Sequence, residues 1–242
     1  MAPDGRVPFW QLLDGSARTE IERLGRLVEF PRGDPILQQH DRSDHLLVLR
    51  HGCVKVVVES DTGYRAILAI RGPGDLVGEQ AGLDGGSRSA SVYALTDVTA
   101  LVVPLSRFGT FKESRPAVAR ALQQVLSGRL READRHRTDT GSGNVRTRLA
   151  GLLLKLAEQY GHRTDGGALR ITLALSQDDL AGLVLSSRRT VVRLLEQWRE
   201  AGWLRTGRCL IELHDLAELE QLARADPADD PAVAPSRPGA DP

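Results

Sequence analysis

The most chemically pointed stretch of the chain lies around position 190. Ser187, Arg188, Arg189 and Thr190 stand in a row, and Arg193 follows one turn later on a helix. Guanidinium groups grip phosphates and pair with guanine edges, while Ser and Thr hydroxyls favour phosphate contacts. Three arginines share the first turn and a half, and no acidic residue follows until Glu196. A merely solvated helix face would carry a more even mixture of charge. The formal net charge of the 242 residues is +0, but its distribution is uneven. Gly141 to Leu210 holds eleven basic and six acidic residues, a net +5, whereas Ile211 to Pro242 holds two and eight, a net −6. A neutral total hides a basic domain followed by an acidic tail.

Presenting those side chains requires two short, tightly joined helices. Ser176 followed by Asp179 has the form of an N-terminal capping box. Leu180, Leu183 and Val184 make the apolar face of the first helix, which Gln177 opens. Ser186-Ser187 interrupts and can cap a second helix, in which Val191, Leu194, Leu195 and Trp198 recur at i, i+3, i+4 and i+7. This pattern describes a helix-turn-helix whose DNA-facing set is Gln177, Ser187, Arg188, Arg189, Thr190 and Arg193. After Gly202-Trp203-Leu204, the run Arg205-Thr206-Gly207-Arg208 fits the tip of a β-hairpin wing.

The N-terminal half has a different grammar. A short helical entry from about Phe9 to Leu24 gives way to β-branched runs at His45–Arg50, Cys53–Glu59, Tyr64–Ile70, Ala90–Leu95 and Val98–Val103. Gly, Asp and Pro punctuate them, as expected for an antiparallel barrel or sandwich. From Pro104 the period becomes helical, with Ser106 as a candidate N-cap. Val118, Leu122, Val125, Leu126 and Leu130 recur at three- and four-residue steps ahead of a charged run from Arg131 to Arg137. One apolar stripe on so long a helix needs a cover. A second copy of the helix is the simplest, and packing on the chain's own strands is the alternative. Thr140-Gly141-Ser142-Gly143 reads as a hinge, and Val145 to Tyr160 as a further amphipathic helix.

Several classes are disfavoured. No run of about 18 apolar residues occurs, so no membrane span is expected. The N-terminus lacks a charged-then-apolar leader, so a cytoplasmic location is expected. Two separated cysteines, Cys53 and Cys209, without a CxxC, argue against a zinc site, a four-thiolate cluster or a disulfide scaffold. Haem ligation would need a histidine such as His40, His45 or His51, each more ordinary as a surface or core residue. No nucleophile–base pair, metal cluster or Walker loop stands out, so enzymatic activity and a metal are not expected.

The run from Leu175 to Leu195 resembles the winged helix of the Crp/Fnr transcription regulators. The family's recognition helix reads roughly Ser-Arg-Glu-Thr-Val-x-Arg. Ser187, Arg188, Thr190, Val191 and Arg193 match it. Arg189 stands where the family usually has Glu. Glutamate accepts from cytosine and arginine donates to guanine, so an altered half-site is expected. Leu185 stands in the turn where Gly is common. The resemblance runs from about Phe9 to Ala223.

In the first half the resemblance rests on Gly78-Glu79 and Arg88-Ser89-Ala90, which look like the phosphate-binding cassette of cyclic-nucleotide-binding domains. Backbone N–H groups after Gly78 favour an anion. Arg88 suits a cyclic phosphate, Ser89 adds a hydrogen bond, and Glu79 suits the ribose 2′-hydroxyl. The family's base-reading Thr-Ser pair aligns with Ala133 and Asp134, so the hydroxyls that hold adenine are missing; Asp134 is a candidate acceptor for a guanine edge. Gly72-x-Gly74 is no dinucleotide fingerprint, because the third Gly falls at 78 and no βαβ unit follows.

The resemblance implies an α+β chain: a jelly-roll-like antiparallel barrel of the cyclic-nucleotide-binding type (1–105), a dimerisation helix and hinge (106–140) and a winged helix-turn-helix (141–225). Composition alone, Asp-, Ala- and Pro-rich with little to bury, adds the expectation of a disordered acidic, Pro-rich tail (226–242). The function implied is a homodimeric regulator on a pseudo-palindromic DNA operator. It would be controlled by a cyclic nucleotide, cAMP or cGMP, with RNA polymerase as a further partner. Two alternatives stand beside it: a cyclic-nucleotide module acting through protein contacts, and a ligand-independent DNA-binding regulator whose Gly-Glu and Arg-Ser are structural.

Overall fold

The computed structural model describes residues 7–61, 63–142, 144–207 and 210–225. The expected tail (226–242) lies outside the described residues, as do Arg208 and Cys209 near the expected wing tip. The entry helix expected from Phe9 to Leu24 is two helices, α1 (Phe9–Leu12) and α2 (Gly15–Leu24). Asp14 divides them by capping α2, its carboxylate accepting from Ala17 N at 2.8 Å.

Eight strands follow: β1 (Arg26–Phe30), β2 (Pro35–Leu37), β3 (His45–His51), β4 (Val54–Glu59), β5 (Arg65–Arg71), β6 (Leu76–Val77), β7 (Ser91–Ala94) and β8 (Val98–Pro104). A short helix, α3 (Ala81–Asp84), sits between β6 and β7. The strands form two antiparallel four-stranded sheets, ordered β1-β8-β3-β6 and β2-β7-β4-β5, a double-sheet jelly roll. β3 is buried on both faces. Leu46 and Val48 meet the helices, and Leu47 and Leu49 fill the space between the sheets. A strand covered on both sides shows a continuous apolar run rather than alternation, as Leu46 to Leu49 do.

The helix expected from 106 to 140 is broken in two. α4 (Leu105–Ser114) ends at Arg115, and α5 runs from Pro116 to Ser142. A residue before proline is pushed out of the helical region, and Arg115 is extended at φ −132, ψ 93. Pro116 then serves as the first residue of α5, where its missing N–H costs nothing. Ser106 does not cap α4; Pro104 holds that position. Val118, Ala121, Leu122 and Val125 of α5 are buried with α1, α2 and the first sheet, while Leu130 is 61% exposed. The expected hinge is shorter than its sequence suggests, because α5 continues through Ser142.

Asn144 restarts the chain by capping α6 (Val145–Tyr160), accepting from Thr147 N at 2.8 Å. Then come β9 (Gly161–Arg163), β10 (Leu169–Ile171), α7 (Gln177–Leu183), α8 (Arg188–Glu200), β11 (Leu204–Gly207), β12 (Leu210–Leu213) and α9 (Leu216–Arg224). The strands make one sheet, β11-β12-β10-β9, which is the wing. Trp198, Leu149, Leu153 and Leu180 lie in the core of this half. The same buried cluster takes in Val57 of β4 and Ile67 of β5, so the C-terminal domain is docked on the second sheet.

Candidate ligand pocket and DNA-binding face

The pocket begins at Gly78, just after β6. Its φ is +81°, and a Cβ there would lie 2.9 Å from both Arg88 Nη1 and Leu37 Cδ1. Only glycine satisfies both the conformation and the close approach. Arg88 is 2% exposed. Its Nε donates to Ser43 Oγ at 3.0 Å, its Nη1 to Gly78 O at 2.6 Å, and its Nη2 to His45 O. The guanidinium, read from the sequence as suited to a cyclic phosphate, is partly engaged by the protein. Of its five N–H donors, two are left over. Burial lowers the Arg88 pKa, opposed by the nearby Asp41, Glu79 and Asp44. Burial, with a smaller contribution from Arg88, also lowers that of His45.

Glu79, 3% exposed, accepts from Arg129 Nη1 of α5 at 2.5 Å. Arg129 also donates to Leu76 O, and its Nε is buried without a hydrogen-bond partner among the described residues. Ser89 Oγ donates to Gln80 Oε1 at 2.6 Å. Gly78, Glu79, Arg88, Ser89 and Ala90 all line one cavity of about 980 Å³. Its walls also include Val56 and Ala69 of the β4–β5 hairpin, Arg129, Glu132, Ala133 and His136 of α5, and Arg148 and Lys155 of α6. The volume lies at the upper end of ordinary ligand sites, roughly 300–1,000 Å³. A cyclic phosphate fits the donor set present: the remaining N–H groups of Arg88, the orphaned Nε of Arg129 and the Ser89 hydroxyl.

One expectation changes here. Asp134 is not a lining residue; it is exposed and pairs with Arg137 at 3.6 Å. Glu132 lines the cavity instead, held by Arg71 of β5 at 3.0 Å. Arg129 was not anticipated at all. The signal lay in its spacing: it continues the buried series Val118, Leu122, Val125, so an arginine occupies the core-facing stripe. Such a position demands a carboxylate or an anion. Burial, with Asp75 nearby, raises the Cys53 pKa to about 11, which keeps the thiol protonated.

The second constellation assembles as expected. Ser176 and Asp179 form a complete capping box on α7, and Ser187 caps α8 by accepting from Thr190 N at 3.1 Å. The hydroxyls of Ser187 and Thr190 meet at 2.9 Å. Gln177, Arg188, Arg189, Thr190 and Arg193 line one open groove, while Val191, Leu194, Leu195 and Trp198 anchor the opposite face of α8. Arg188 is 64% exposed and only loosely tethered, to Asp178 at 3.7 Å and Gln177 at 3.5 Å. Leu185 adopts φ +48° in the turn, the left-handed conformation that glycine would take without strain. The amide of Ser186 closes the turn on Ala181 O at 3.0 Å.

Two family models match the chain: the cyclic nucleotide-binding domain over residues 27–115 and the Crp-like helix-turn-helix domain over residues 147–222. A CRP-like cAMP-activated global transcriptional regulator of Mycobacterium tuberculosis is 32% identical over 219 residues, covering 90% of this chain and 97% of the relative. A cyclic AMP receptor protein of Thermus thermophilus is 34% identical over 194 residues, 80% of this chain and 86% of the relative. The crystal structure of a CRP/FNR-family transcriptional regulator, also from Thermus thermophilus, superposes with a TM-score of 0.71 at 29% identity, covering 83% of this chain and 100% of that one. With a cyclic-nucleotide-binding jelly roll, a long helix and a winged helix-turn-helix in that order, the chain belongs to the Crp/Fnr family of transcription regulators.

Proposed function

We propose that the chain works as a homodimer, binds a pseudo-palindromic DNA operator and is switched by a cyclic mononucleotide, cAMP or cGMP. The observation that carries this reading is the meeting of three elements at one cavity: the barrel cassette, the long helix α5 and helix α6 of the DNA-binding domain. Gly78, Arg88 and Ser89 would receive the cyclic phosphate, and Glu79 the ribose hydroxyl. Arg129 and Glu132 on α5, and Arg148 and Lys155 on α6, would register the occupied pocket at both the dimer helix and the DNA-binding domain. A ligand that touches both sides of a movable junction has the differential contacts needed to shift a population. The relatives that carry cAMP in their names support the ligand class. Ala133 offers no hydrogen bond to a base, so cGMP stands equal to cAMP.

Leu126 and Leu130 continue the apolar stripe of α5 beyond its buried part, which supports a second copy as cover. Two-fold symmetry then places half-sites about one helical turn apart, roughly 34–36 Å. Arg189 would read guanine. A second reading draws support from the internal bonds of Arg88: a regulator whose pocket is structural and whose DNA binding ignores nucleotides. Calorimetry with cAMP and cGMP separates the two. One nucleotide is expected to bind wild type and to bind Arg88→Ala at least about tenfold more weakly, as loss of a charge-assisted phosphate contact implies. Binding of neither nucleotide, or equal binding by the variant, removes the ligand half of the proposal.

A further inference from the structure

The C-terminal domain sits on the outer face of the β4–β5 hairpin through an apolar cluster that includes Val57, Ile67 and Ile70, with an ion pair beside it. Lys55 Nζ of β4 meets Asp179 Oδ1 of α7 at 2.5 Å, with side chains 20% and 11% exposed. Asp179 is no spare carboxylate. Its Oδ2 closes the capping box of α7, accepting from Ser176 N at 2.9 Å and Ser176 Oγ at 2.8 Å. Beside it, Gly182 of α7 lies against β5: a Cβ there would sit 3.2 Å from Ile67 Cγ1 and 3.3 Å from Arg65 O. The pairing of β4 with β5 shifts register between Val56 and Val57, leaving Leu68 as the extra residue. That bulge brings Ile67 and Ile70 both to the face that packs on the C-terminal domain. The same hairpin lines the ligand cavity through Val56, Ala69 and Arg71, and also through Ile67 and Ile70 of the docked face.

We propose that Lys55 is a positioning residue for DNA recognition. It clasps the capped end of α7 to the cavity wall and so holds the helix-turn-helix in its DNA-competent placement. Two facts set the direction. The clasp covers α7 on its Gly182 side and leaves the arginine groove of α8 open, so docking does not occlude the DNA face. It also restrains a domain that follows α5 in the chain through a short connection, and a restrained reader loses less freedom on binding. The clasp provides a route from the cavity to α7 within one chain that does not pass along α5. This inference rests on the DNA-binding reading above.

The test uses the full-length protein and an operator selected by wild type from a randomised duplex pool. Lys55→Met keeps the bulk and removes the charge; Lys55→Arg keeps the charge. Lys55→Met is expected to lower operator affinity at least about fivefold at one fixed salt concentration, a loss that falls on the specific site because non-specific binding rests on phosphate contacts elsewhere. Hydrogen exchange across Gln177–Leu183 should quicken in the same variant, and Lys55→Arg should restore both readouts. Operator affinity in Lys55→Met equal to or above that of wild type overturns the clasp, as does equal impairment of Lys55→Met and Lys55→Arg. Failure of wild type to select any operator instead removes the DNA-binding reading beneath it.

Discussion

Arg88 and Arg188 each stand where the family resemblance places an arginine, and their surroundings are opposite. Arg88 is buried in the barrel and tied to Ser43, Gly78 and His45. Arg188 lies on α8, largely in solvent, with loose partners and its neighbours Arg189 and Arg193 alongside. The buried arginine ties the barrel together with three of its donors, so under the proposed function folding and ligand binding would be coupled there. The exposed arginines stand on a scaffold completed without them by Val191, Leu194, Leu195 and Trp198. Folding and binding are separable at that end.

Substitutions should expose this difference. Replacing Arg188, Arg189 and Arg193 together with alanine should weaken operator binding by at least about 100-fold, since a base-reading arginine is worth about 1–3 kcal/mol. The salt dependence of binding should flatten for each phosphate contact removed. The urea midpoint should scarcely move. Arg88→Ala should instead lower stability by about 1–3 kcal/mol, because the part-buried carbonyls of Gly78 and His45 lose their donor, and nucleotide binding should fall with it. A variant Arg88→Ala with wild-type stability would dissolve the contrast.

Gly78→Ala tests the same buried site through the backbone. A positive φ and a Cβ 2.9 Å from the guanidinium should cost about 1–3 kcal/mol, read by thermal or urea unfolding. Leu185→Gly tests the DNA-binding end in the opposite sense. Relief of the left-handed leucine should leave stability unchanged or raise it by up to about 1 kcal/mol, the freer unfolded chain offsetting part of the gain. Unfolding midpoints of the two variants should therefore move in different directions, or the second not at all.

The smallest effect is a pH dependence at His45. Its ordinary value of 6.5 is lowered in the fold, chiefly by burial, so the native state favours the neutral ring. The unfolded chain takes up the proton first as pH falls. The His45 contribution is thus complete above about pH 6.5 and is lost as pH drops through the lower folded value. Urea midpoints of wild type and His45→Gln should converge on acidification, and parallel curves would refute the assignment.

The same contrast explains what the sequence made legible. α8 is specified by neighbours: Ser187 caps it, the leucines keep its period, and the arginines fall on the remaining face. Asp179 three residues after Ser176 announced α7 in the same local way. Leu185 in the glycine place was visible too, and the structure adds its φ of +48°. The pocket is assembled from far apart. Arg129 meets Glu79 across 50 positions, and Arg71 meets Glu132 across 61, so no window of sequence contains either pair. β1 and β2 escaped notice because their burial does not alternate cleanly, and β9 and β10 because they are three residues long. The break at Arg115 was present as the following proline, but the apolar spacing of the two helices runs through it.

In the proposed mechanism, occupancy of the cavity at Gly78, Glu79 and Arg88 changes how the arginines of α8 meet DNA. Fluorescence anisotropy with the selected operator, at one fixed salt concentration, measures it directly in the absence and presence of saturating cAMP or cGMP. One of the two is expected to shift operator affinity by at least about tenfold, a coupling of about 1.4 kcal/mol, and Arg88→Ala to abolish the shift. Superimposable binding curves with and without both nucleotides would contradict it.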